Sequence, residues 1–273
     1  MSDFDRNIAG VRYGGVSRAD TAVIDAGLRA YMLRVYNYMT LGLVITGFAA
    51  WGIYLASVTG DATSAAQIVR GGLEVPARIA GGMYLTPIGY AVYASPFKWV
   101  IILAPPALVF GLSFGSERLS PTVGQLLFWV YAALMGLALG AIFMVFTHTS
   151  IVRVFFITAA SFGALALFGY TTQRDLSGWG SFLIMGLFGV IIASLVNLFV
   201  QSSALLWAVS VIGVFVFAGL TAWDTQRVKN EYLYGAMDGE TTERSAIMGA
   251  LSLYLDFVNL FTLLLQLLGQ RED

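Results

Sequence analysis

Two carboxylates stand where the chain is most apolar. Asp224 lies in "GLTAWDTQRVK" and Asp256 in "ALSLYLDFVNLF", while the rest of the sixteen acidic residues fall in termini, loops or the edges of apolar runs. A charge at the centre of an isolated membrane-spanning helix costs about 2.5–3.5 kcal/mol on insertion scales. Such a group must face a protein interior, hold a proton or meet a counter-charge. The chemistry open to paired carboxyls is proton exchange and contact with a hard cation, which oxygen ligands suit.

Helical spacing gives Asp256 a face. Gly249, Ser252, Asp256, Asn259, Leu263 and Gln266 follow one another at three or four residues, so they share one side of a helix. Most of that stripe is small or polar. Ser210, Thr221 and Asp224 lie roughly along one side of the preceding apolar run. The two runs are consecutive and antiparallel, so Asp224 and Asp256 are expected to face each other, with Ser252 and Asn259 as the supporting polar face. A purely structural reading makes Asp256 and Asn259 interhelical glue. Asparagine alone would serve for that without an ionisable group, so a pair on adjacent spans favours function.

The elements that must position this pair are membrane helices. Of the 273 residues, 58% are apolar and 11% charged, where a soluble domain carries roughly 25% charged residues. A chain this poor in charge cannot cover a water-facing surface, so lipid must be the solvent of its outer face. Seven runs, near 35–57, 99–116, 122–146, 151–172, 178–200, 204–225 and 246–268, are long enough to cross a hydrocarbon core of about 30 Å. They are continuous rather than alternating, and open strands in lipid would leave backbone groups unpaired, so helix is the expected form. The fold class is therefore an all-α integral membrane bundle of seven helices. A polar N-terminal arm covers 1–34, the bundle 35–269 and a short tail 270–273. The N-terminus lacks the apolar core of a cleavable signal peptide, so the first run is expected to stay as an anchor. Pro105 and Pro106 predict a kink in the second span. The aromatic, Gly- and Pro-containing insertion 58–98 reads as an ordered interfacial loop. Glycines within the spans read as packing faces.

With the N-terminus inside, ten Lys and Arg residues fall on the inner side and five on the outer, which predicts a cytoplasmic N-terminus and a C-terminus across the membrane. The absence of cysteine excludes disulfides and thiolate chemistry, the single His148 cannot form a histidine cluster, and a net charge of −1 argues against nucleic acid as a partner.

The last-helix stretch "ALSLYLDFVNLF" followed by "LLLQLLG" resembles the signature of the Bax inhibitor-1 (transmembrane Bax inhibitor motif) family. "AGLTAWDTQRVK" resembles its sixth-helix motif, with Trp223 where tyrosine is usual, and "TTQRDLSGWGSFL" and "SPFKWVIILAPPALVFGLSF" resemble its bacterial members. The resemblance runs from about residue 28 to the end. It implies a seven-helix, pH-sensitive calcium leak channel, in a bacterial inner membrane or an intracellular membrane. In it, Asp224 and Asp256 share a proton, report pH and meet calcium transiently. It also implies a basic gate partner at the inner end of the second helix, for which Arg118 in "SFGSERLS" is the nearest match. Two carboxylates close together in a low dielectric do not both ionise easily, so such a pair titrates as a unit. They are too few ligands for tight calcium storage and suit passage. No cofactor is implied beyond calcium as the transported ion.

Three other readings compete with this one. Intramembrane aspartyl proteases resemble the chain at "AWD", but their second aspartate follows Gly-x-Gly and here stands in "LYLD", so no enzyme activity is expected. A retinal-type receptor needs a lysine within a span, and none is present. A modulator of a membrane protease or a stress or cell-death partner would use the connection "RVKNEYLYGAMDGETTERS" and the N-terminal arm as contact candidates.

Overall fold

The computed structural model describes residues 18–70, 73–115, 120–234 and 239–272. Helix α1, Arg18–Ser57, carries the first apolar run and begins well before it, inside the expected polar arm. Helices α2 (Lys98–Gly115), α3 (Pro121–Leu139), α4 (His148–Thr171), α5 (Ser177–Val200), α6 (Ser203–Tyr234) and α7 (Gly239–Leu268) complete the bundle. Six helices are long and apolar enough to cross a membrane, and a seventh crossing follows if a bent pair, Pro87–Ala94 with Lys98–Leu112, is one span. Packing supports that count. The start of α2 lies beside the 58–94 segment, while Leu112 at its far end shares a small cavity with Ser120, Pro121 and Arg244. The chain is an all-α, multi-pass integral membrane protein.

The second span bends at the break that precedes its long helix. Helix α2 runs on through Pro105 and Pro106, and the 58° bend lies at the break before Lys98. The backbone there is already released: Ser95 is extended and ends a short π-helical turn, Tyr90–Ala94. The insertion 58–98 is ordered, but it contains strands that its composition did not announce. Strand β1 (Val58–Thr59) pairs antiparallel with β4 (Tyr84–Leu85), and β2 (Gln67–Arg70) with β3 (Leu73–Pro76). Gly81 and Gly82 turn the chain at φ of 69° and 72°, a region that favours glycine.

This cap is tied to the bundle by close backbone contact. Gly89 lies against the carbonyl of Ser57, where a Cβ would collide. Tyr93 donates from its hydroxyl to the Leu137 carbonyl at 2.9 Å. The C-terminal residues fold back on the same end. Thr147 donates its N–H to the Gln270 carbonyl, and Glu272 its N–H to the Val145 carbonyl, each at 2.9 Å. His148 sits half-buried among Trp51, Tyr54 and Phe143, with ring centroids 5.4–5.8 Å from its own, so it belongs to an aromatic cluster rather than a ligand set.

The core lies between α1, α3 and α7. Phe128, Tyr131, Leu253 and Tyr254 are almost wholly buried there. The Tyr254 hydroxyl is satisfied by Thr46 Oγ1 at 2.6 Å, so the ring can fill the core without stranding its polar atom. The connection expected between the sixth and seventh spans is mostly helical. Helix α6 continues to Tyr234 and α7 starts at Gly239, and only 235–238 lie outside the described residues. What reads in sequence as a charged loop is thus two helix ends projecting past the apolar layer.

A reporter fused after Asp273 is expected to be active only on the side opposite a reporter at the N-terminus, and on the non-cytoplasmic side of the membrane. Equal reporter activity on one side at both ends would reduce α2 to a re-entrant element.

Candidate functional site

The α6–α7 seam is close because small residues line it. Gly213 lies against Leu263 and Gly249 against Val228, with no free room for a Cβ at either. The polar members of the seam meet in antiparallel order. Ser210 Oγ lies 2.8 Å from Gln266 Oε1, and Arg227 Nη2 donates to Ser252 Oγ at 2.9 Å. The stripe from Gly249 to Gln266 therefore faces α6. Thr221 and Thr225 are buried yet satisfied, because each hydroxyl donates to the carbonyl four residues earlier on its own helix.

Between these contacts Asp224 and Asp256 meet. They are 7% and 4% exposed. Their side chains lie within hydrogen-bonding reach of each other, and a hydrogen bond between two carboxyls needs a proton on one of them. Oδ1 of Asp224 and Oδ2 of Asp256 are buried without a hydrogen-bond partner. Asp224 Oδ1 has an ionic neighbour instead, Arg227 Nη2 at 2.8 Å, in a geometry that is a charge contact rather than an aligned hydrogen bond. The Asp224–Asp256 level lies about 15 Å from the end of α6, counted over ten residues at 1.5 Å each.

Arg227 is the residue that sequence reading passed over. Its guanidinium touches Asp224, bonds Ser252 on α7 and lies 5.0 Å from the Trp223 ring centroid. Its side chain is still 46% exposed, since it forms part of the wall of an open polar pocket of about 690 Å³. That pocket also involves Gln226, Asn230, Glu231 and Ser252, and opens toward the α6–α7 connection. The signal for Arg227 was available: it stands three residues after Asp224, one helical turn away. Arg118, the expected gate partner, lies outside the described residues. Asn259 is on the predicted face, but its amide donates to the Leu255 carbonyl of its own helix at 2.8 Å.

The rest of "DTQRVK" fastens α6 in place. Gln226 Nε2 donates to the Arg174 carbonyl at 2.8 Å, and its Oε1 accepts the Leu176 N–H at 2.7 Å, so one buried amide holds the α4–α5 connection. In that connection the Ser177 hydroxyl and N–H beside Asp175 hold its carboxyl below the usual carboxylate range. Lys229 Nζ donates to the Tyr170 carbonyl at 2.8 Å, at the C-terminal end of α4 where a cation is favoured.

In the opposite direction the seam is apolar as far as the Ser210–Gln266 contact. Val216, Phe217, Leu220, Leu260 and Leu263 are buried together on the cap side of the aspartates. The pair thus sits between a polar pocket and an apolar seal. Among the described residues, no group of three or more His, Cys, Asp or Glu residues could hold a metal ion.

Gly213→Leu is expected to lower the thermal unfolding midpoint in detergent, because overpacking at the seam costs about 1–3 kcal/mol. Gly189→Leu on α5, where a Cβ meets nothing within 4 Å, is expected to leave the midpoint unchanged or slightly raised.

The comparisons with known proteins agree with this architecture. The family described as "Inhibitor of apoptosis-promoting Bax1" matches residues 28–273. An uncharacterised protein of Rickettsia prowazekii (strain Madrid E) is 44% identical over 91% of this chain and 93% of its own length. The inner membrane protein YbhL of Escherichia coli (strain K12) is 43% identical over 90% and 94% respectively. An uncharacterised protein of Caulobacter vibrioides is 40% identical over 100% of both chains. From its first core helix to its C-terminal residue, this chain belongs to the Bax inhibitor-1 family of membrane proteins.

Proposed function

We propose that this chain is a pH-sensitive leak channel for a hard divalent cation, calcium, gated where Asp224 and Asp256 meet. The observation that carries this reading is a buried carboxyl pair with a charged neighbour, Arg227, standing between it and an open polar pocket. With one proton the two carboxyls can hold each other. With none, their repulsion must be offset by Arg227 or by a cation that displaces it. Release of Arg227 also frees the Ser252 hydroxyl, another oxygen for the ion. These oxygens fall short of the roughly six to eight that calcium takes in a tight site, which suits transit. The buried seam beyond the pair supports a closed state, and separation of α6 from α7 is the opening motion this reading requires.

The same proposal places the chain in a bacterial inner membrane with its N-terminus in the cytoplasm. The ten-to-five charge bias and the inner-membrane designation of the Escherichia coli relative support it. It assigns no catalysis. Asp256 stands in an unbroken helix without Gly-x-Gly, so a transmembrane substrate is expected to remain uncleaved when incubated with the purified protein.

In proteoliposomes, Asp224→Asn and Asp256→Asn are each expected to abolish the pH dependence of calcium flux. Asparagine keeps the shape and cannot titrate. A full wild-type pH response in either variant would sink the reading. Arg227→Gln is expected to raise flux several-fold at neutral pH, since it removes the competitor for the carboxylates while leaving the pair. Unchanged or lower flux would remove Arg227 from the gate.

A further inference from the structure

Helices α1 and α4 both pack on α6 and α7 but barely touch each other. Between them lies a groove of about 560 Å³. Its buried lining is apolar, with Met32, Met39, Phe162 and Ala166, and its rims are the exposed Leu33 and Leu167. The groove follows α4 from Phe162, near the middle of the helix, to Tyr170 in its last turn. Those eight residue-to-residue steps span about 12 Å at 1.5 Å each, close to one leaflet's share of a hydrocarbon core of about 30 Å.

One end of this groove is basic. Arg29 stands at it, exposed. Among the described residues Arg34, Arg227 and Arg244 each have a carboxylate partner, and Arg29 is in none of these ion pairs. Lys229 adds a second positive charge at the same end, with Nζ 5.8 Å from the Tyr170 ring centroid. The Ala26–Ser57 part of α1 has 32 residues, about 48 Å, so it is too long to lie wholly in hydrocarbon, and Arg29, near its start, can stand at headgroup level. The nearly non-polar lining offers an extended peptide almost no hydrogen-bond partners, which a backbone in lipid cannot forgo. A hydrocarbon chain needs none.

We propose that this groove is a binding site for one anionic phospholipid, with an acyl chain between α1 and α4 and the phosphate on Arg29. Guanidinium is the side chain best matched to a phosphate oxygen pair. Lys229 is held by the Tyr170 carbonyl, so Arg29 carries the selection for net negative charge, and a zwitterionic lipid of the same chains binds less well. The site is separate from the aspartate pair and does not depend on ion conduction.

Native mass spectrometry of the full-length protein tests this, with equal amounts of phosphatidylglycerol and phosphatidylcholine of identical chains. Retention of phosphatidylglycerol is expected to exceed that of phosphatidylcholine about fivefold, the scale of one basic residue at a membrane surface. Arg29→Gln is expected to bring the two lipids level. Gly163→Trp, placed where a Cβ meets open space at the groove, is expected to reduce both. Arg29 is exposed, so its variant should keep the wild-type unfolding midpoint in lipid-free detergent. Equal retention by the wild type, a preference that survives Arg29→Gln, retention untouched by Gly163→Trp, or a lipid-free dimer would each overturn the proposal.

Discussion

Much of this molecule follows from placing two carboxyl groups out of water between two antiparallel helices. In a low dielectric neither group is tolerated alone. Each is within hydrogen-bonding reach of the other, and among the described residues Arg227 supplies the one opposite charge in contact. That arrangement demands a close, registered seam, because a shift along α7 would separate the carboxyls and strand both. Glycine at 213 and 249 allows the approach, and Ser210 with Gln266 and Arg227 with Ser252 set the register on either side.

The seam is unequal along its length. On the cap side, between the aspartates and the Ser210–Gln266 contact, it is closed by large aliphatic and aromatic side chains. On the other side the helices project past the apolar layer and carry Asn230, Glu231 and Arg227 into an open pocket. Arg227 stands between that pocket and the aspartates. Its guanidinium is half-exposed, bound to Asp224 and Ser252 yet in reach of solvent, so it can be displaced without unpacking the core.

The ends of the bundle are held by different means. At the cap, short strands, the returning C-terminal residues and the aromatic group around His148 join α1, α3, α4 and α7. At the other end α1 is clasped to α7, with Arg34 and Tyr38 both on Glu243 and the Tyr31 hydroxyl 2.9 Å from Ser245 Oγ. Exposed ion pairs are each worth little, but these bridge helices far apart in sequence, and they flank buried core residues such as Val35 and Ala246. Helix α5 packs chiefly on α6. Its outward face, with Trp179, Phe182 and Phe188 exposed, is solvated by lipid.

The sequence by itself determined the solvent, the crossings and the face. Continuous apolar runs leave helix as the way to satisfy the backbone in lipid, and three-four spacing puts Gly249 through Gln266 on one side whatever they meet. It also singled out Asp224 and Asp256, since acids within apolar runs stand out without a structure. What tertiary structure alone decided were partners and levels. Arg227 and Arg118 are equivalent as letters, and only packing shows Arg227 bridging the two helices. Asn259 reads as a partner of Asp256, yet its amide finds its own helix first. The charged stretch after Asp224 reads as loop because hydropathy reports the edge of the lipid, whereas a helix persists in water where hydrogen bonds and packing continue. The cap strands were illegible for a related reason: segments of two to four residues are too short for a period, and they exist because the ends of α1, α3 and α7 hold them in place.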